Sequence, residues 1–366
     1  MNIKPIKIKT PKGPRLIGPG QPAFIVAEIS CNHRQNYSEA VKLVKAAAKV
    51  GVDAVKFQTY TPDTLTLNSD KPLFIIGGKD NPDSWQKLTF YSIYQQGYTP
   101  WDWLPKLKKL AESLGMVFFT SVFDESAVDF NEKMGVELYK VAAYEATHIP
   151  LLKKIASTGK PVIISIGFAS QIEAQEAVTA LRKAGARDIA VLHCLTSYAA
   201  SPDSAVTHLA TIRDIQERFN VVSGLSDNNG GIDLPAMAVL AGGSIVEKHL
   251  NLRHGNKSFD DRFSIDPQEL AMMIKKIREI EKFLGTVHYG PNNDAEKYNR
   301  NFRRSIFVSQ DIKKGQKFTA RNIKVIRPAY GLAPKYYNQI ISKTASTDIE
   351  FGTPLKKSHV IGFKSK

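Results

Sequence analysis

Eight short apolar runs between Phe24 and His249 constrain the fold of this chain most strongly. Nearly every run ends at a polar or ionisable residue, and helical segments separate the runs. In chain order the runs end at Glu28, Lys56, Ser121, Lys140, Ser165, His193, the turn 224–228 and the triplet 247–249. Eight strand-plus-helix units over about 250 residues are typical of a closed parallel barrel, whose active site gathers at the carboxyl ends of the strands. The eight run ends are therefore predicted to face one another.

The segments between the runs have the apolar spacing of amphipathic helices. In the first unit, FIVAEI is predicted to be a buried strand and Ser38 the N-cap of the following helix. Glycines at 51, 115, 135, 159, 185 and 242 each follow a helical stretch, as expected of the left-handed position that ends a helix. Further helices are predicted over 103–114, 126–134, 172–184, 206–219, 234–241 and 267–284.

The length of 366 residues allows one large barrel and one small domain. Residues 1–285 are predicted to form the barrel, 286–303 a polar, irregular linker, and 304–366 a small β-rich domain without a helix of any length. Segment 61–100 is too long for an ordinary connection between a strand and a helix, and too aromatic for disorder. It is predicted to form a lid or wall over the mouth of the barrel.

Composition and charge limit the partners and the compartment. No apolar run approaches the ~20 residues that cross a bilayer, and the N-terminus lacks a secretory h-region. The two cysteines cannot form a disulfide framework, so a cytoplasmic protein is expected. The net charge of +15 draws on Lys4, Lys7, Lys9, Lys12, Arg15, Lys356, Lys357, Lys364 and Lys366. We interpret both basic runs as solvated ends, and expect neither nucleic acid nor membrane as a partner.

Two lysines, Lys56 and Lys140, end apolar strands that would otherwise bury a charge without compensation. A lysine at this rim can bind phosphate or carboxylate as a point charge, or form a Schiff base when its pKa is depressed. The alternative is a structural lysine in a salt bridge. Together with the hydroxyls of Ser121 and Ser165, the two cations indicate a cradle for an anion.

Carboxylates and imidazoles add acid–base and metal-binding groups. Strand alternation places Glu247 and His249 on one side and Lys248 on the other. For His193 we favour a satisfied core histidine over a metal ligand. The pair 32–33 either orients a substrate or caps a turn, and both cysteines are interpreted as small packing residues.

Several segments, in the right order, resemble the nonulosonic (sialic) acid synthases. They are AEISCNH, AAAKVGVDAVKFQTYTPDTLT, LYKVAAYE, VLHCLTSY, GLSD and VEKHL, and VIRPAYGLAP resembles the C-terminal antifreeze-like domain of that family. The match runs from about residue 15 to 362. YTPDTLT, YTPWDW and FDESAVDF look most like the pseudaminic acid synthase branch. The resemblance implies a (β/α)8 TIM barrel followed by a small β-rich antifreeze-like (SAF, β-clip) domain.

The family condenses phosphoenolpyruvate with an aldehydic acetamido sugar, using a divalent metal such as Mn2+ or Mg2+. The resemblance implies catalytic roles for Glu28, Glu247, Lys56 and Lys140, with both lysines holding phosphoenolpyruvate. It implies substrate contacts from Gln58, Ser121, Phe123, Ser165, Thr196, Tyr198, Ser226, Asp260 and Arg327, and metal ligation by His249 and Asn228. Arg327 matches the lid arginine, which in the family reaches the barrel of the partner in a homodimer.

Three positions depart from the family pattern. Asn228 replaces a metal-binding histidine, Ala143 a serine, and Asp261 a histidine, whereas Asp260 is retained. An amide oxygen in place of an imidazole favours weaker coordination of Mn2+ or Mg2+, with Asp227 or Asp261 as possible helpers. The alternatives left open are an N-acetylneuraminate or legionaminate synthase, a Schiff-base aldolase, and a non-catalytic scaffold.

Overall fold

A computed structural model describes residues 3–78, 81 and 85–364. By its internal contacts the chain divides into two compact units, Met1–Gly285 and Thr286–Lys366. Lys366, assigned above to a solvated tail, lies outside the described residues.

The first unit contains a closed barrel of eight parallel strands, which confirms the architecture predicted from the apolar runs. Two antiparallel strands, β1 (Ile6–Thr10) and β2 (Gly13–Ile17), precede it. The barrel strands are β3 (Phe24–Glu28), β4 (Ala54–Thr59), β5 (Val117–Val122), β6 (Tyr139–Val141), β7 (Val162–Ser165), β8 (Ile189–Leu195), β9 (Val222–Asp227) and β10 (Ile245–His249). They neighbour one another in chain order, and β10 closes on β3.

Helices follow most strands and cover the outside of the barrel. They are α1 (Tyr37–Val50), α2 (Pro62–Leu65), α3 (Phe90–Gly97), α4 (Leu104–Ser113), α5 (Glu125–Met134), α6 (Ile149–Ser157), α7 (Gln171–Lys183), α8 (Ser204–Thr207), α9 (Ala210–Phe219), α10 (Asp233–Leu240) and α11 (Pro267–Leu284). The single helix predicted over 206–219 is wrong, because His208 adopts a left-handed φ of 41° between α8 and α9. The N-cap of α1 is Asn36 and not Ser38, since the Asn36 side chain accepts a hydrogen bond from the Glu39 amide.

Side chains inside the barrel change from apolar to polar along the strands. The lower interior is apolar and contains Phe24, Val26, Ala54, Val117, Phe119, Leu138, Ile163, Ala190, Leu192, Val222 and Ile245. Two residues further along, the same faces carry polar groups such as Glu28 after Val26 and Ser121 after Phe119. The strands therefore place a packed core beneath a polar layer at their carboxyl ends.

The N-terminal segment is not the solvated arm that its basic run suggested. In the hairpin of β1 and β2, Ile6, Ile8 and Ile17 are at most 3% exposed and pack against the lower interior of the barrel. The lysines alternate with these isoleucines and lie on the exposed face. Arg15 Nη1 lies 2.8 Å from Asp53 Oδ1, so this charge has a partner. The hairpin thus closes the amino end of the barrel.

Replacing Ile8 with alanine is expected to destabilise the protein by about 2–4 kcal/mol, because it leaves a cavity beneath the barrel core. The matched control is Leu16→Ala in the same hairpin, since Leu16 is 42% exposed. Its cost should stay within about 0.5 kcal/mol in urea denaturation. Equal, small effects of both substitutions would show that the hairpin does not contribute to the core.

The second unit has its own small core. Its strands β11 (Ser305–Val308) and β12 (Ile323–Ile326) are antiparallel, and two short helices are described, α12 (Asp294–Asn299) and α13 (Tyr337–Ile340). Its core residues include Ile306, Val308, Ile312, Phe318, Ile323, Ile340, Ala345, Ile349, Leu355 and Val360. Helix α12 corrects the prediction that 286–303 is irregular. Isolated bridges join Ile312 to Ile349 and Phe307 to Pro354.

Candidate active site

Lys56 lies at the centre of the polar layer and is almost completely buried. Register places Glu28 between Lys56 on β4 and His249 on β10. Lys56 Nζ forms a close ion pair with Glu28, donates to Ser121 Oγ at 2.9 Å, and lies 3.5 Å from Glu247 Oε1. These contacts join four neighbouring strands, β10, β3, β4 and β5, in one charged cluster.

Lys140 also lies close to the Glu247 carboxylate. Its Nζ donates to Ser165 Oγ at 2.7 Å and lies 3.6 Å from Glu247 Oε1. Ser226 Oγ donates to that oxygen at 3.0 Å. Glu247 therefore lies between both lysines, and each lysine has a serine hydroxyl beside it, as the anion cradle requires.

Burial and charge act in opposite directions on these four groups. Burial raises the pKa of Glu28 and outweighs the attraction of Lys56. Burial also acts to raise the pKa of Glu247, but Lys140 and Lys56 outweigh it, so that pKa is lowered. Burial lowers the pKa of Lys140, whereas for Lys56 the two carboxylates overcome burial and raise its pKa. Lys140 is thus the less compensated cation, and an incoming anion relieves that cost.

A cavity of about 540 Å³ opens above this cluster. Every site residue predicted within the barrel unit lines it, namely Glu28, Lys56, Gln58, Ser121, Phe123, Lys140, Ser165, Thr196, Tyr198, Ser226, Asn228, Glu247, His249 and Asp260. Gln58 Nε2 donates to Glu28 Oε1 at 3.2 Å and to Ser30 Oγ at 3.0 Å. Arg327 belongs to the second unit and is exposed there.

Segment 61–100 forms part of the cavity wall, as predicted for its described residues. Residues 79–80 and 82–84 of this prediction lie outside them. Trp85 Nε1 donates to the Phe259 carbonyl at 3.0 Å, and its ring centroid lies 5.2 Å from that of Tyr198. Phe263 lies 5.1 Å from Tyr198 and 5.0 Å from the His249 ring. One side of the cavity is therefore aromatic and the floor is charged.

His249, Asp260 and Asn228 provide donors for a divalent ion. His249 Nδ1 lies 3.3 Å from Asp260 Oδ2 and has no hydrogen-bond partner among the described residues. Burial acts to raise the pKa of Asp260, but interaction with His249 outweighs it and the pKa is lowered. Asn228 Nδ2 donates to Cys194 Sγ at 3.6 Å, so the carbonyl oxygen is the Asn228 atom available to a metal ion. An imidazole with carboxylate and amide oxygens suits Mn2+ or Mg2+.

The two aspartates suggested as helpers are engaged elsewhere. Asp227 forms a buried ion pair with Lys248 on the outer side of the barrel wall. Asp261 accepts hydrogen bonds from Asn251 Nδ2 at 2.8 Å and from the Gly255 amide at 2.9 Å. Neither carboxylate lines the cavity. The expectation that one of them compensates for Asn228 is therefore wrong.

Replacing Asn228 with histidine is expected to tighten Mn2+ binding by at least about tenfold, because an imidazole nitrogen replaces a neutral oxygen. The measurement is an electron paramagnetic resonance titration of free Mn2+. Asn220→His, at the exposed end of α9, controls for an added surface imidazole. Tight binding by the wild type that the substitution weakens would assign Asn228 to a different coordination scheme.

Other polar groups from the sequence prove to be structural. His193 faces away from the cavity and bonds the Thr207 carbonyl at 2.7 Å, in accord with a core histidine. His33 is buried against Thr99 Oγ1 at 2.8 Å, which favours the turn interpretation. Cys31 and Cys194 line the cavity, and burial raises the pKa of both thiols. A surface cluster of His254, Asp266 and Glu269 has metal-like spacing, but both carboxylates cap the start of α11.

Glu145 is a cavity residue that the sequence analysis missed. It ends the short turn after β6, and its Oε2 is buried without a hydrogen-bond partner among the described residues. Burial raises the pKa of Glu145 to about 8, although Lys140 acts to lower it. The available signal was a carboxylate within five residues of a strand-end lysine. Burial thus favours the neutral form of the Glu145 carboxyl group near pH 7.

Ionisation of Glu145 should weaken the binding of an anion beside Lys140. We expect affinity for phosphoenolpyruvate to fall as the pH rises through about 8, where Glu145 becomes charged. Glu145→Gln keeps the uncharged form and should remove this fall in affinity at alkaline pH, whereas Glu176→Gln on the exposed face of α7 should not. Calorimetry between pH 6.5 and 9.5 measures this affinity. If the affinity of Glu145→Gln still falls at alkaline pH, the fall is assigned to deprotonation of Lys140.

A model of the NeuB family matches residues 43–289, which is more than half of the chain. The chain belongs to the NeuB family. A SAF domain model matches residues 303–361, so the second unit contains that domain after the barrel. Among the described residues, the helices are too short or too polar to traverse a bilayer.

The NeuB family relatives similar to this chain cover nearly its whole length. Pseudaminic acid synthase of Campylobacter jejuni subsp. jejuni serotype O:23/36 (strain 81-176) is 39% identical over 335 residues, covering 92% of this chain and 96% of its own. Pseudaminic acid synthase of Helicobacter pylori is 36% identical over 340 residues, covering 93% and 98%. The crystal structure of a spore coat polysaccharide biosynthesis protein of Bacillus subtilis superposes with a TM-score of 0.64 at 28% identity, covering 96% and 98%.

Proposed function

We propose that this chain condenses phosphoenolpyruvate with an aldehydic acetamido sugar, as a pseudaminic acid synthase-like transferase. Carbon 3 of phosphoenolpyruvate bonds to the aldehyde carbon, water adds to carbon 2, and phosphate leaves with its bridging oxygen. The product is a nine-carbon α-keto (nonulosonic) acid. The two pseudaminic acid synthases among the relatives support this choice of branch.

Lys56 and Lys140, with Ser121 and Ser165, are proposed to hold the carboxylate and phosphate of phosphoenolpyruvate. The lysines act as point charges and the hydroxyls as donors. In the described arrangement both lysines contact Glu247. An anion that binds between them replaces part of this contact, so substrate binding releases Glu247 toward the reacting atoms.

The two glutamates are assigned complementary proton roles. Glu28, whose pKa is raised by burial, is proposed to give a proton to the aldehyde oxygen as the carbon–carbon bond forms. Glu247, whose pKa its lysine neighbours lower against the effect of burial, is proposed to accept a proton from the attacking water. Groups of one chemical type with opposite shifts are suited to acid and base roles in one site.

The sugar is assigned to the aromatic side of the cavity, in contact with Phe123, Thr196, Tyr198, Ser226 and Asp260. His249, Asp260 and Asn228 would hold Mn2+ or Mg2+ at this side. When bound, such an ion supplies Lewis-acid polarisation of the sugar aldehyde. The protein residues orient the aldehyde carbon toward phosphoenolpyruvate and exclude water around it.

We assign catalysis to 1–285, a linker to 286–303 and a lid function to the SAF domain, 304–366. In a homodimer, Arg327 of each subunit would contact the sugar bound in the barrel of the other subunit. The two free cysteines fit a cytoplasmic enzyme. Nucleic acid and membrane are not proposed as partners.

The observation that carries the proposal is the contact of two buried lysines with one carboxylate, each lysine beside a serine hydroxyl. The test is phosphate release from phosphoenolpyruvate and Mn2+ with a panel of acetamido hexoses. Release that requires both substrates supports the proposal and identifies the sugar, including the neuraminate and legionaminate alternatives. A protein that binds neither phosphoenolpyruvate nor Mn2+ in calorimetry would be a scaffold.

A Schiff-base aldolase is the second candidate, because burial lowers the pKa of Lys140 as that chemistry requires. Borohydride trapping with pyruvate distinguishes the two reactions. A covalent adduct on Lys56 or Lys140 would replace the synthase proposal, whereas phosphate release without an adduct supports it.

A further inference from the structure

A fully buried ion pair joins the last two strands of the barrel on the side away from the cavity. Lys248 Nζ lies 2.7 Å from Asp227 Oδ2, and both side chains are 0% exposed. The two residues are register partners on β10 and β9. Glu247 and His249, on either side of Lys248, line the cavity, so Lys248 itself points outward. None of the roles assigned above uses this pair.

The pair also binds the backbone of the turn that follows β9. Lys248 Nζ donates to the Asn229 carbonyl. Asp227 Oδ1 accepts from the Asn229 amide at 3.1 Å and from Asn229 Nδ2 at 3.3 Å. Asn228, which lines the cavity, lies between Asp227 and Asn229 in the chain. Lys248 and Asp227 therefore hold the backbone beside Asn228, whose own side chain donates to Cys194 Sγ.

The same turn is bonded to the turn that follows β8. Ser197 Oγ donates to Asn229 Oδ1 at 2.7 Å, and the Gly230 amide donates to the Ala199 carbonyl at 2.8 Å. The turn after β8 carries Tyr198, which holds a left-handed φ of 48° and packs against Trp85 and Phe263. The hydrogen bonds thus run from the buried pair to the aromatic side of the cavity.

A buried ion pair is weak evidence for a role in stability, since a packed apolar pair of similar size is often as stable. An apolar pair cannot, however, bond the Asn229 amide and carbonyl. We infer that Lys248 is a positioning residue, which with Asp227 holds the turns after β8 and β9 so that Asn228 and Tyr198 face the sugar. The inference rests on the proposed function, because it assigns these two side chains to the sugar side. The lysine and serine groups of the cradle lie on β4 to β7, outside this set of bonds.

The test compares Lys248→Met, Asp227→Leu and the double variant. Each single variant leaves a buried group without its partner and should lower Tm by about 10 °C. The double variant should recover part of that loss, because it removes both buried charges but leaves the Asn229 amide and carbonyl without these partners. We expect it still to show at least about a thirtyfold rise in KM for the acetamido hexose that wild type turns over fastest, with Kd for phosphoenolpyruvate within about threefold of wild type. Recovery of the wild-type KM would make the pair purely structural and overturn the inference.

Ser197→Ala provides a second test that does not touch the buried pair. Ser197 is exposed, so its removal should leave Tm unchanged and raise KM for the same hexose by about three- to tenfold. The control is Ser157→Ala at the exposed end of α6, where no change is expected. Unchanged KM in Ser197→Ala, or equal losses for sugar and phosphoenolpyruvate in the double variant, would contradict the inference. If the wild-type protein condenses phosphoenolpyruvate with none of the acetamido hexoses, the proposed function is refuted instead.

Discussion

Replacing Lys140 with methionine is expected to weaken binding of phosphoenolpyruvate by about a hundredfold or more, that is by about 3 kcal/mol. The substitution removes one of two cations from the cradle and preserves the length of the side chain. It also removes the lysine contact of Ser165 and one of the two lysine contacts of Glu247. Calorimetry with phosphoenolpyruvate measures the change directly.

The fold should tolerate this loss, because burial already lowers the pKa of Lys140 and makes its charge costly. We therefore expect Tm to change by no more than about 3 °C. Lys154→Met is the matched control, since Lys154 on α6 forms a partly exposed ion pair with Asp129 on α5. A loss of affinity below about tenfold for Lys140→Met would show that this lysine is structural.

Ending the chain after Gly285 is expected to leave a folded barrel with less than about 1% of the activity, a loss of about 2.7 kcal/mol in transition-state stabilisation. The two units have separate cores, so the barrel should keep its own cooperative unfolding. The proposed lid arginine, Arg327, is lost with the second unit. Turnover and circular dichroism on the same sample separate lost function from lost folding.

Arg327→Ala in the full chain should reproduce most of that loss in kcat/KM for the sugar. Lys324→Ala, on the exposed face of β12, is the matched control and should retain activity. Full turnover by the truncated barrel would contradict the lid role of the second unit. Loss after truncation but not in Arg327→Ala would assign the role to another residue of that unit.

Much of the barrel followed from local patterns. Eight continuous apolar runs, the helical stripes between them and six helix-ending glycines indicate repeated strand-helix units, and eight such units over about 250 residues are typical of a closed parallel barrel. The ends of the runs predicted the cradle, since the carboxyl ends of neighbouring strands meet at one rim. Alternation alone also predicted that Glu247 and His249 share one face and Lys248 the other. These inferences depend on periodicity, which is visible in the sequence of each single strand or helix.

The errors arose where the neighbour is distant in the sequence. The lysines of the N-terminal run suggested a solvated arm. In the structure β1 pairs with β2, and the isoleucines of β1 pack against the lower interior of the barrel. Asp227 resembled a metal ligand because it adjoins Asn228, yet its partner is Lys248 on the next strand. The contact of Asp260 with His249 likewise joins a loop to a strand.

The sequence by itself thus determined which residues reach the mouth of the barrel, because strand and helix periods set the direction of each side chain. Only the tertiary structure decided which of these groups neutralise one another, which remain without partners, and where the pKa of a carboxyl such as Glu145 is raised. Those properties depend on burial and on distances between strands, and neither is contained in the spacing along the chain.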